Sequence, residues 1–348
     1  MEFHAIGLMS GTSLDGLDIC FVRFQFDGGD WNFKILHAET VGYSEEWEFK
    51  LRNSTQLSSA KLLALNSEYG FYLGEQVQKF IRENQLSNVD LVASHGHTVF
   101  HQPQNKFTLQ IGDGRAINTM VKIPVVYDFR SQDVLMGGNG APLVPIGDEL
   151  LFAGYDACVN LGGFSNISFK ANKRRVAFDI CPVNIVLNRF AKVLNLNYDK
   201  NGAIARSGKI IPELLNSLNA LPYYKYAPPK SLGIEWVEEN IDPLIQDQMA
   251  EDLLATFTEH AALQIAETLG KFDLKKVFFT GGGTYNSFLI ERIKTKCRAE
   301  IIIPEKEIID YKEALIFAFM GVLKLNNKIN VLSSATGSTE DHSSGLVV

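Results

Sequence analysis

Apolar and polar residues alternate along the start of the chain in the pattern of antiparallel strands. Residues 6–9 form an apolar run, which residues 17–22 resume after a stretch of small, polar and glycine residues. The stretch between them, residues 10–16, predicts a tight hairpin turn. A third strand is predicted over residues 31–43. The chain is therefore expected to begin with a three-stranded antiparallel meander.

The pattern then changes to helices that alternate with short buried strands. Apolar residues recur at helical spacing over residues 58–84, and a buried strand is predicted at 89–93. A short helical segment separates residues 108–113 from residues 123–130, and the latter predict another buried strand. Helices between short apolar runs are typical of a parallel sheet.

The second half repeats this order. Residues 157–169 predict strand, glycine turn and strand, and residues 175–180 predict a third strand. Further helices and strands are predicted at 182–194, 250–270, 276–280, 300–303 and 312–325. The repeat predicts an α/β protein of two duplicated domains around a central cleft. We place the first domain at residues 1–130 with 333–348, and the second at 131–332.

Composition excludes several classes of protein. The 348 residues carry a net charge of −7, which argues against a nucleic-acid surface. No apolar run is long enough to predict a membrane span, and the N-terminus lacks the layout of a secretory signal. The four cysteines are widely spaced and form no C-x-x-C pair. The sequence therefore predicts a cytoplasmic protein with small-molecule partners.

The first hairpin turn has the residues of a phosphate site. Its glycines allow backbone to approach a ligand, its hydroxyls suit an anion, and its carboxylates suit a hydrated divalent cation. ATP with Mg²⁺ would use all of these groups, whereas a plain polar turn with a capping aspartate is the alternative. The predicted ATP-binding residues here are Gly11, Thr12, Ser13, Leu14, Asp15, Gly16, Leu17 and Asp18, with Asp15 holding Mg²⁺ through water.

Two glycine turns in the second half of the chain resemble the first hairpin turn. The first follows a predicted strand, and the second leads from a strand into a helix, where bare backbone would suit an adenine ring. An ordinary strand-to-helix turn is the alternative. The predicted ATP-binding residues in these turns are Gly162, Gly163, Asn166, Gly281, Gly282, Gly283 and Asn286.

Three other features suggest chemistry. The run 94–101 holds His95, His97 and His101, which we expect to line a cleft at a strand end. The glycine-rich run 136–142 is a linker, a hinge or a ligand loop. Asp179 ends a predicted strand just before a predicted helix, where it suits an ionised general base or, equally, a helix cap.

Residues 7–18 closely resemble the opening motif of the anhydro-N-acetylmuramic acid kinases. These enzymes belong to the superfamily of actin, sugar kinases and heat-shock chaperones, which has duplicated ribonuclease-H-like domains. Further blocks resemble the family in the same order, at residues 94–101, 109–113, 128–133, 140–145, 160–167, 228–231, 280–286 and 313–318.

The resemblance implies a reaction and its residues. Asp179 would activate a water that opens the 1,6-anhydro bridge, and the freed O6 would take the γ-phosphate of ATP. This would give N-acetylmuramate 6-phosphate in the recycling of peptidoglycan. The resemblance also implies a homodimer, and it assigns sugar binding to His95, Gly96, Thr98, Arg130, Asn184 and Glu313.

The chain departs from the family near the base. The family usually reads Phe-Asp-Thr-Gly-Pro-Gly-Asn, whereas residues 178–184 here are Phe-Asp-Ile-Cys-Pro-Val-Asn. His97 stands where glutamine is usual, and Phe100 where arginine is frequent. We expect the added side chains of Cys181 and Val183 to narrow the sugar pocket. A kinase of another amino or anhydro sugar, and a non-catalytic ATP-dependent switch, are therefore kept as alternatives.

Overall fold

Residues 1–11 and 14–348 are described by the computed structural model, and they divide into two units. The first unit consists of Met1–Phe152 and Tyr311–Val348, and the second of Ala153–Asp310. The first unit is thus larger than the predicted 1–130 with 333–348.

Regular elements occupy most of the described chain. The strands are β1 (Glu2–Ser10), β2 (Leu17–Asp27), β3 (Asp30–Val41), β4 (Leu91–Gln102), β5 (Phe107–Ile111), β6 (Val125–Tyr127), β7 (Ala157–Leu161), β8 (Phe164–Ala171), β9 (Arg174–Pro182), β10 (Lys276–Thr280), β11 (Glu300–Ile302) and β12 (Leu346–Val347). The helices are α1 (Glu45–Arg52), α2 (Ser59–Glu83), α3 (Gly114–Val121), α4 (Ser131–Leu135), α5 (Pro145–Leu150), α6 (Asn184–Val193), α7 (Ala203–Ser207), α8 (Pro212–Asn219), α9 (Ile234–Asn240), α10 (Ala250–Lys271), α11 (Ser287–Lys296), α12 (Lys306–Leu325) and α13 (Ser333–Thr336).

The two sheets share one strand order. In the first unit the order is β12-β6-β4-β1-β2-β3, with β5 paired to β4, and in the second it is β11-β10-β7-β8-β9. Strands β1, β2 and β3 are antiparallel, whereas β4 runs parallel to β1 and to β6. Strands β7 to β11 have the same directions. The predicted duplication of a ribonuclease-H-like α/β unit is confirmed.

Close packing of α12 on the first sheet explains why the first unit extends to residues 311–332. A Cβ on Gly7 of β1 would overlap the Ala314 carbonyl oxygen, and a Cβ on Gly321 would lie 2.8 Å from the Cβ of Ala93. Small residues thus let most of this helix lie against β1 and β4.

The helices follow the apolar pattern of the sequence. Helix α2 buries one face, including Tyr69, Leu73 and Val77, as its spacing predicts. Helix α10 is buried on most of its surface because α6, α7, α8 and α11 pack around it. Helices α7, α8 and α9 are short and were not predicted from the sequence, although α8 buries Leu214 and Leu218 at helical spacing.

Candidate active site

Asp179 lies on β9, beside a break in the pairing of β9 with β8. Asn166 pairs with Asp179 and Ser165 pairs with Cys181, so Ile180 is an extra residue on β9. A β-bulge of this kind bends a strand and redirects its side chains, and bulges are frequent beside active sites. The Asp179 side chain is left half-buried.

A loop that lies much later in the chain, residues 223–232, holds Asp179 in place. The Leu232 N–H donates a 2.8 Å hydrogen bond to Asp179 Oδ2. The Tyr223 hydroxyl donates to the Asp179 carbonyl oxygen at 2.6 Å, and the Asp179 N–H donates to the Lys230 carbonyl oxygen at 3.2 Å. Both the carboxylate and the main chain of Asp179 are therefore fixed.

The loop is held together by an internal hydrogen bond and is anchored to α10. Within the loop, Lys230 Nζ donates to the Tyr223 carbonyl oxygen at 3.0 Å. The Tyr224 hydroxyl lies 2.8 Å from His260 Nε2, and His260 Nδ1 lies 2.6 Å from Asn219 Oδ1. An amide oxygen can only accept, so Nδ1 carries the proton and Nε2 accepts from Tyr224. Burial lowers the pKa of His260 to about 3, which keeps this histidine neutral.

The environment of Asp179 favours a base over a helix cap. Helix α6 begins at Asn184 with Val183 as its N-cap, so the helix-cap interpretation of Asp179 is wrong. Burial raises the pKa of Asp179, and the Leu232 hydrogen bond opposes that rise. A carboxylate with a raised pKa is a stronger base than an exposed one.

Three residues near Asp179 that depart from the family pattern point into the core. Ile180, Cys181 and Val183 are each at most 2% exposed and belong to the apolar core of the second unit. Cys181 Sγ lies 3.3 Å from Ser165 Oγ. The expectation that Cys181 and Val183 narrow a sugar pocket is therefore wrong, because these side chains fill space inside the unit.

The turn after β7 joins the start of α6. The Gly163 carbonyl oxygen accepts from the N–H groups of Val183 and Ile185, at 2.8 and 3.1 Å, and the Gly162 carbonyl oxygen accepts from the Asn184 N–H at 3.3 Å. Asn184 Nδ2 donates to the Leu161 carbonyl oxygen at 3.3 Å. The two glycines thus cap a helix while their other surface stays partly exposed.

The three glycines after β10 differ in their surroundings. A Cβ on Gly281 would lie 2.4 Å from Asn160 Oδ1, and one on Gly283 would lie 2.8 Å from Leu161 Cβ. Gly282 is exposed, with no atom near its missing Cβ. Asn286 Oδ1 caps α11 by accepting from the Leu289 N–H at 3.0 Å. Packing within the unit therefore requires Gly281 and Gly283, and Gly282 is the open position.

A row of polar residues crosses the second sheet. Thr280 pairs with Asn160, Asn160 with Asn166, and Asn166 with Asp179. Paired residues on neighbouring strands share a face of the sheet. Residues from both glycine turns and the proposed base are thus brought to one line of the sheet.

In the first unit, Arg130 and His95 form a joined pair. Arg130 Nε donates to His95 Nε2 at 2.8 Å, and His95 Nδ1 lies 2.9 Å from the Gly96 carbonyl oxygen. Nε2 accepts from the guanidinium, so Nδ1 carries the proton. Burial, reinforced by the Arg130 charge, holds the pKa of His95 well below its usual range. Both ring nitrogens are occupied, so His95 orients Arg130 and has no nitrogen left for a sugar.

Two charged groups complete this part of the first unit. Burial lowers the pKa of Arg130 to about 10, and Glu313 opposes this fall, so the guanidinium stays charged at neutral pH. Glu313 reaches solvent, yet desolvation by the surrounding protein raises its pKa, and Arg130 and Lys312 oppose that rise.

Thr98, another residue assigned to the sugar, is held by a neighbour: its Oγ1 accepts a hydrogen bond from Gln110 Nε2 at 3.2 Å.

The histidines lie within a strand, because β4 continues to Gln102 and pairs with β5 beyond residue 96. His97 is buried in a network that the sequence did not predict. Ser10 Oγ lies 3.0 Å from His97 Nδ1 and accepts from the Tyr43 hydroxyl at 2.8 Å, and the Tyr43 and Tyr69 hydroxyls are 2.6 Å apart. Apolar periodicity places Tyr69 in the core, but it carries no signal for a hydroxyl partner.

Part of the first hairpin turn, Thr12 and Ser13, lies outside the described residues. Asp15 is exposed, whereas the Thr40 hydroxyl donates to Asp18 Oδ1 at 2.6 Å. The Gly11 carbonyl oxygen accepts a hydrogen bond from the Leu14 N–H at 3.4 Å. Leu14 and Leu17 are buried. A Cβ on Gly16 would lie 2.7 Å from the Val41 carbonyl oxygen, so this glycine is required by packing. No cluster of three metal-ligating side chains occurs among the described residues.

Comparison with known proteins decides the family. The family model for anhydro-N-acetylmuramic acid kinase matches residues 3–348. The chain belongs to this family. A relative with that name from Francisella tularensis subsp. novicida (strain U112) is 36% identical over 364 residues, which cover 96% of each chain. Another, from Bacillus thuringiensis subsp. konkukian (strain 97-27), is 30% identical over 369 residues and 97% of each chain.

Sequence identity to solved structures is lower than identity to the relatives named above. Component A of (R)-2-hydroxyglutaryl-CoA dehydratase from Acidaminococcus fermentans is 11% identical, with a TM-score of 0.48 over 91% of this chain and 96% of that one.

Membership of the kinase family makes the chain a phosphotransferase that acts on an alcohol group. It favours the sugar-kinase interpretation over the ATP-dependent switch. Among the described residues, no helix has both the length and the apolar character to cross a membrane.

Proposed function

We propose that the chain opens the 1,6-anhydro bridge of anhydro-N-acetylmuramic acid and phosphorylates the freed O6 with ATP. The family supports the substrate class, since relatives that match nearly the whole chain carry this name. The observation that carries the chemistry is Asp179, a half-buried carboxylate with a raised pKa, held at Oδ2 by the Leu232 N–H.

The reaction balances with Asp179 as a general base. Asp179 takes a proton from water while the water oxygen bonds to C1 and the C1–O6 bond breaks. O6 leaves with the electron pair of that bond and attacks the γ-phosphorus, so that the bond between this phosphorus and ADP breaks. The products are N-acetylmuramate 6-phosphate and ADP, and Asp179 returns its proton to solvent.

We assign the sugar contacts residue by residue. Arg130 supplies a fixed positive charge and Glu313 a carboxylate that reaches solvent. We assign Gly96, Thr98 and Asn184 to the same substrate, and we assign His95 to the orientation of Arg130. Ile180, Cys181 and Val183 lie in the apolar core, so their departure from the family pattern gives no support to a different sugar.

The nucleotide is assigned to the glycine turns. We assign contacts with ATP to the run Gly11–Asp18, which includes Thr12, Ser13, Leu14, Gly16 and Leu17. We also assign them to Gly162, Gly163, Asn166, Gly282 and Asn286, with Gly281 and Gly283 shaping the turn after β10. An exposed Asp15 fits Mg²⁺ held through water, because this ion binds with few carboxylates and keeps several waters. When bound, Mg²⁺ neutralises charge on the phosphates of ATP.

A substrate panel tests the proposal. ADP release is measured with anhydro-N-acetylmuramic acid, open N-acetylmuramic acid and N-acetylglucosamine at equal concentrations. We expect fast release with the anhydro sugar and little with the open sugars. Preference for an open sugar would favour a kinase of another amino sugar, and no release with any sugar would favour the switch. We further propose that the enzyme is cytoplasmic and that it is a homodimer. Its mass in solution would test the homodimer.

A further inference from the structure

Asp133 of α4 is a fully buried carboxylate in the first unit. Its Oδ1 accepts a 2.7 Å hydrogen bond from the Thr336 hydroxyl, and its Oδ2 accepts a 2.7 Å bond from the Gly140 N–H. His342 Nε2 lies 3.7 Å from Oδ1. Burial of a carboxylate is costly unless hydrogen bonds compensate it, so the Thr336 hydroxyl and the Gly140 N–H hold the group in one place.

The glycine-rich run folds around this carboxylate. A Cβ on Gly138 would lie 2.2 Å from Asp133 Oδ2, so only glycine allows the loop to approach this closely. The Asn139 N–H donates to the Thr336 carbonyl oxygen at 2.8 Å, and the Thr339 N–H donates to the Met136 carbonyl oxygen at 3.2 Å. The run lies inside the first unit, so it does not join the units as a hinge, and the C-terminal segment (residues 331–348) binds it.

The same loop reaches Arg130. The Gly140 carbonyl oxygen accepts from Arg130 Nη1 at 2.5 Å, while the Gly140 N–H is held by Asp133. Arg130 Nε is held by His95. The guanidinium is therefore oriented from two sides, by a histidine on β4 and by a loop that depends on Asp133 and Thr336.

We propose that Asp133 and Thr336 are positioning residues for Arg130, which they orient through Gly140. Docking of the C-terminal segment is then a requirement for sugar binding. The sugar-binding part of this inference rests on the proposed function, because that proposal assigns Arg130 to the sugar.

Three variants of α13 test the inference. Thr336→Val keeps the shape and removes the hydroxyl, whereas Thr336→Ser keeps the hydroxyl. Ser333→Ala is a matched control, because the Ser333 hydroxyl also donates to a carboxylate, but to that of Asp341 and not to that of Asp133. We expect Thr336→Val to raise KM for the sugar about tenfold, as for one lost buried hydrogen bond, with KM for ATP unchanged.

Thr336→Ser and Ser333→Ala are expected to stay within about twofold of wild type. An unchanged sugar KM in Thr336→Val, or a parallel rise of both KM values, would overturn the inference. If Thr336→Val does not fold, Asp133→Asn replaces it, because the amide keeps the volume and loses the charge, and the same split is expected.

A second measurement does not depend on turnover. The Arg130 Nε–H signal in a ¹H–¹⁵N spectrum is assigned by its loss in Arg130→Lys. We expect its exchange with solvent to accelerate about tenfold in Thr336→Val and to be unchanged in Ser333→Ala. Unchanged exchange in Thr336→Val contradicts the positioning role, whereas a wild-type protein that turns over no anhydro sugar contradicts only the proposed function.

Discussion

The carboxylate of Asp179 accepts a 2.8 Å hydrogen bond from the backbone N–H of Leu232, a residue 53 positions later in the chain. A backbone donor fixes the direction of the carboxylate without adding a charge. Among the described residues, no lysine or arginine forms an ion pair with Asp179, so burial dominates and the pKa rises. One oxygen is thus held while the group remains a base.

Asp179→Asn is expected to abolish turnover with little effect on binding. The amide oxygen still accepts from the Leu232 N–H, but the amide cannot take a proton from water. General-base catalysis is worth about 10²–10⁴-fold, and kcat should fall by at least the lower figure. Steady-state kinetics and calorimetry of sugar and ATP binding would check this.

Asp156→Asn is the matched control. Asp156 also accepts backbone N–H bonds through one oxygen, from Lys275 and Lys276, and it lies in the second unit. We expect its kcat to stay within about twofold of wild type. Turnover of Asp179→Asn within a few-fold of wild type would remove Asp179 as the base.

Asp179→Asn should also stabilise the protein at neutral pH. A raised pKa means that the folded state disfavours the charged form of Asp179. The free energy of unfolding of wild type therefore decreases as pH rises from 3.8 through the pKa of the folded state. The asparagine does not titrate. Thermal unfolding should therefore show a higher Tm for the variant at pH 7, and the difference should shrink towards pH 4. A lower Tm at both pH values would contradict the raised pKa of Asp179.

His97 should make the protein sensitive to acid. Burial lowers the pKa of His97 to about 4, against an ordinary value of 6.5, so its contribution is complete above pH 6.5 and is lost as pH falls towards 4. The shift corresponds to at most about 3 kcal/mol of unfolding free energy. Urea unfolding of His97→Gln should show a shallower fall from pH 7 to pH 4.5. His37→Gln, at an exposed position, should follow wild type, and identical slopes for all three proteins would rule out this role of His97.

Asp15→Ala should weaken the use of Mg²⁺-ATP. Loss of a group that holds a metal through water typically costs about 10–100-fold in metal affinity. We expect KM for ATP to rise about tenfold at limiting Mg²⁺ and to recover partly at high Mg²⁺, with KM for the sugar unchanged. Asp27→Ala, in the exposed hairpin between β2 and β3, is the control. If ATP titrations at several Mg²⁺ concentrations coincide for both variants, Asp15 is not at the metal.

The order of strands and helices was predictable from the sequence because it depends on local pattern. Alternation at residues 17–22 and helical spacing at 58–84 each reflect one buried face, and both elements form nearly as predicted. The duplication followed from the same patterns, and the two matching strand orders confirm it. The motif residues, including Asp179, were also recognisable from sequence.

The direction of side chains was decided by tertiary structure. A bulge at Ile180 and a core beneath β9 turn Cys181 and Val183 inward, and no local signal distinguishes this from a pocket wall. Likewise Asp133 meets Thr336, more than half the chain away, because the C-terminal segment returns to the first unit. Contacts between residues this far apart depend on the packing of whole elements. Apolar periodicity therefore determined which elements form, and only their packing decided which polar groups hold Asp179 and Arg130.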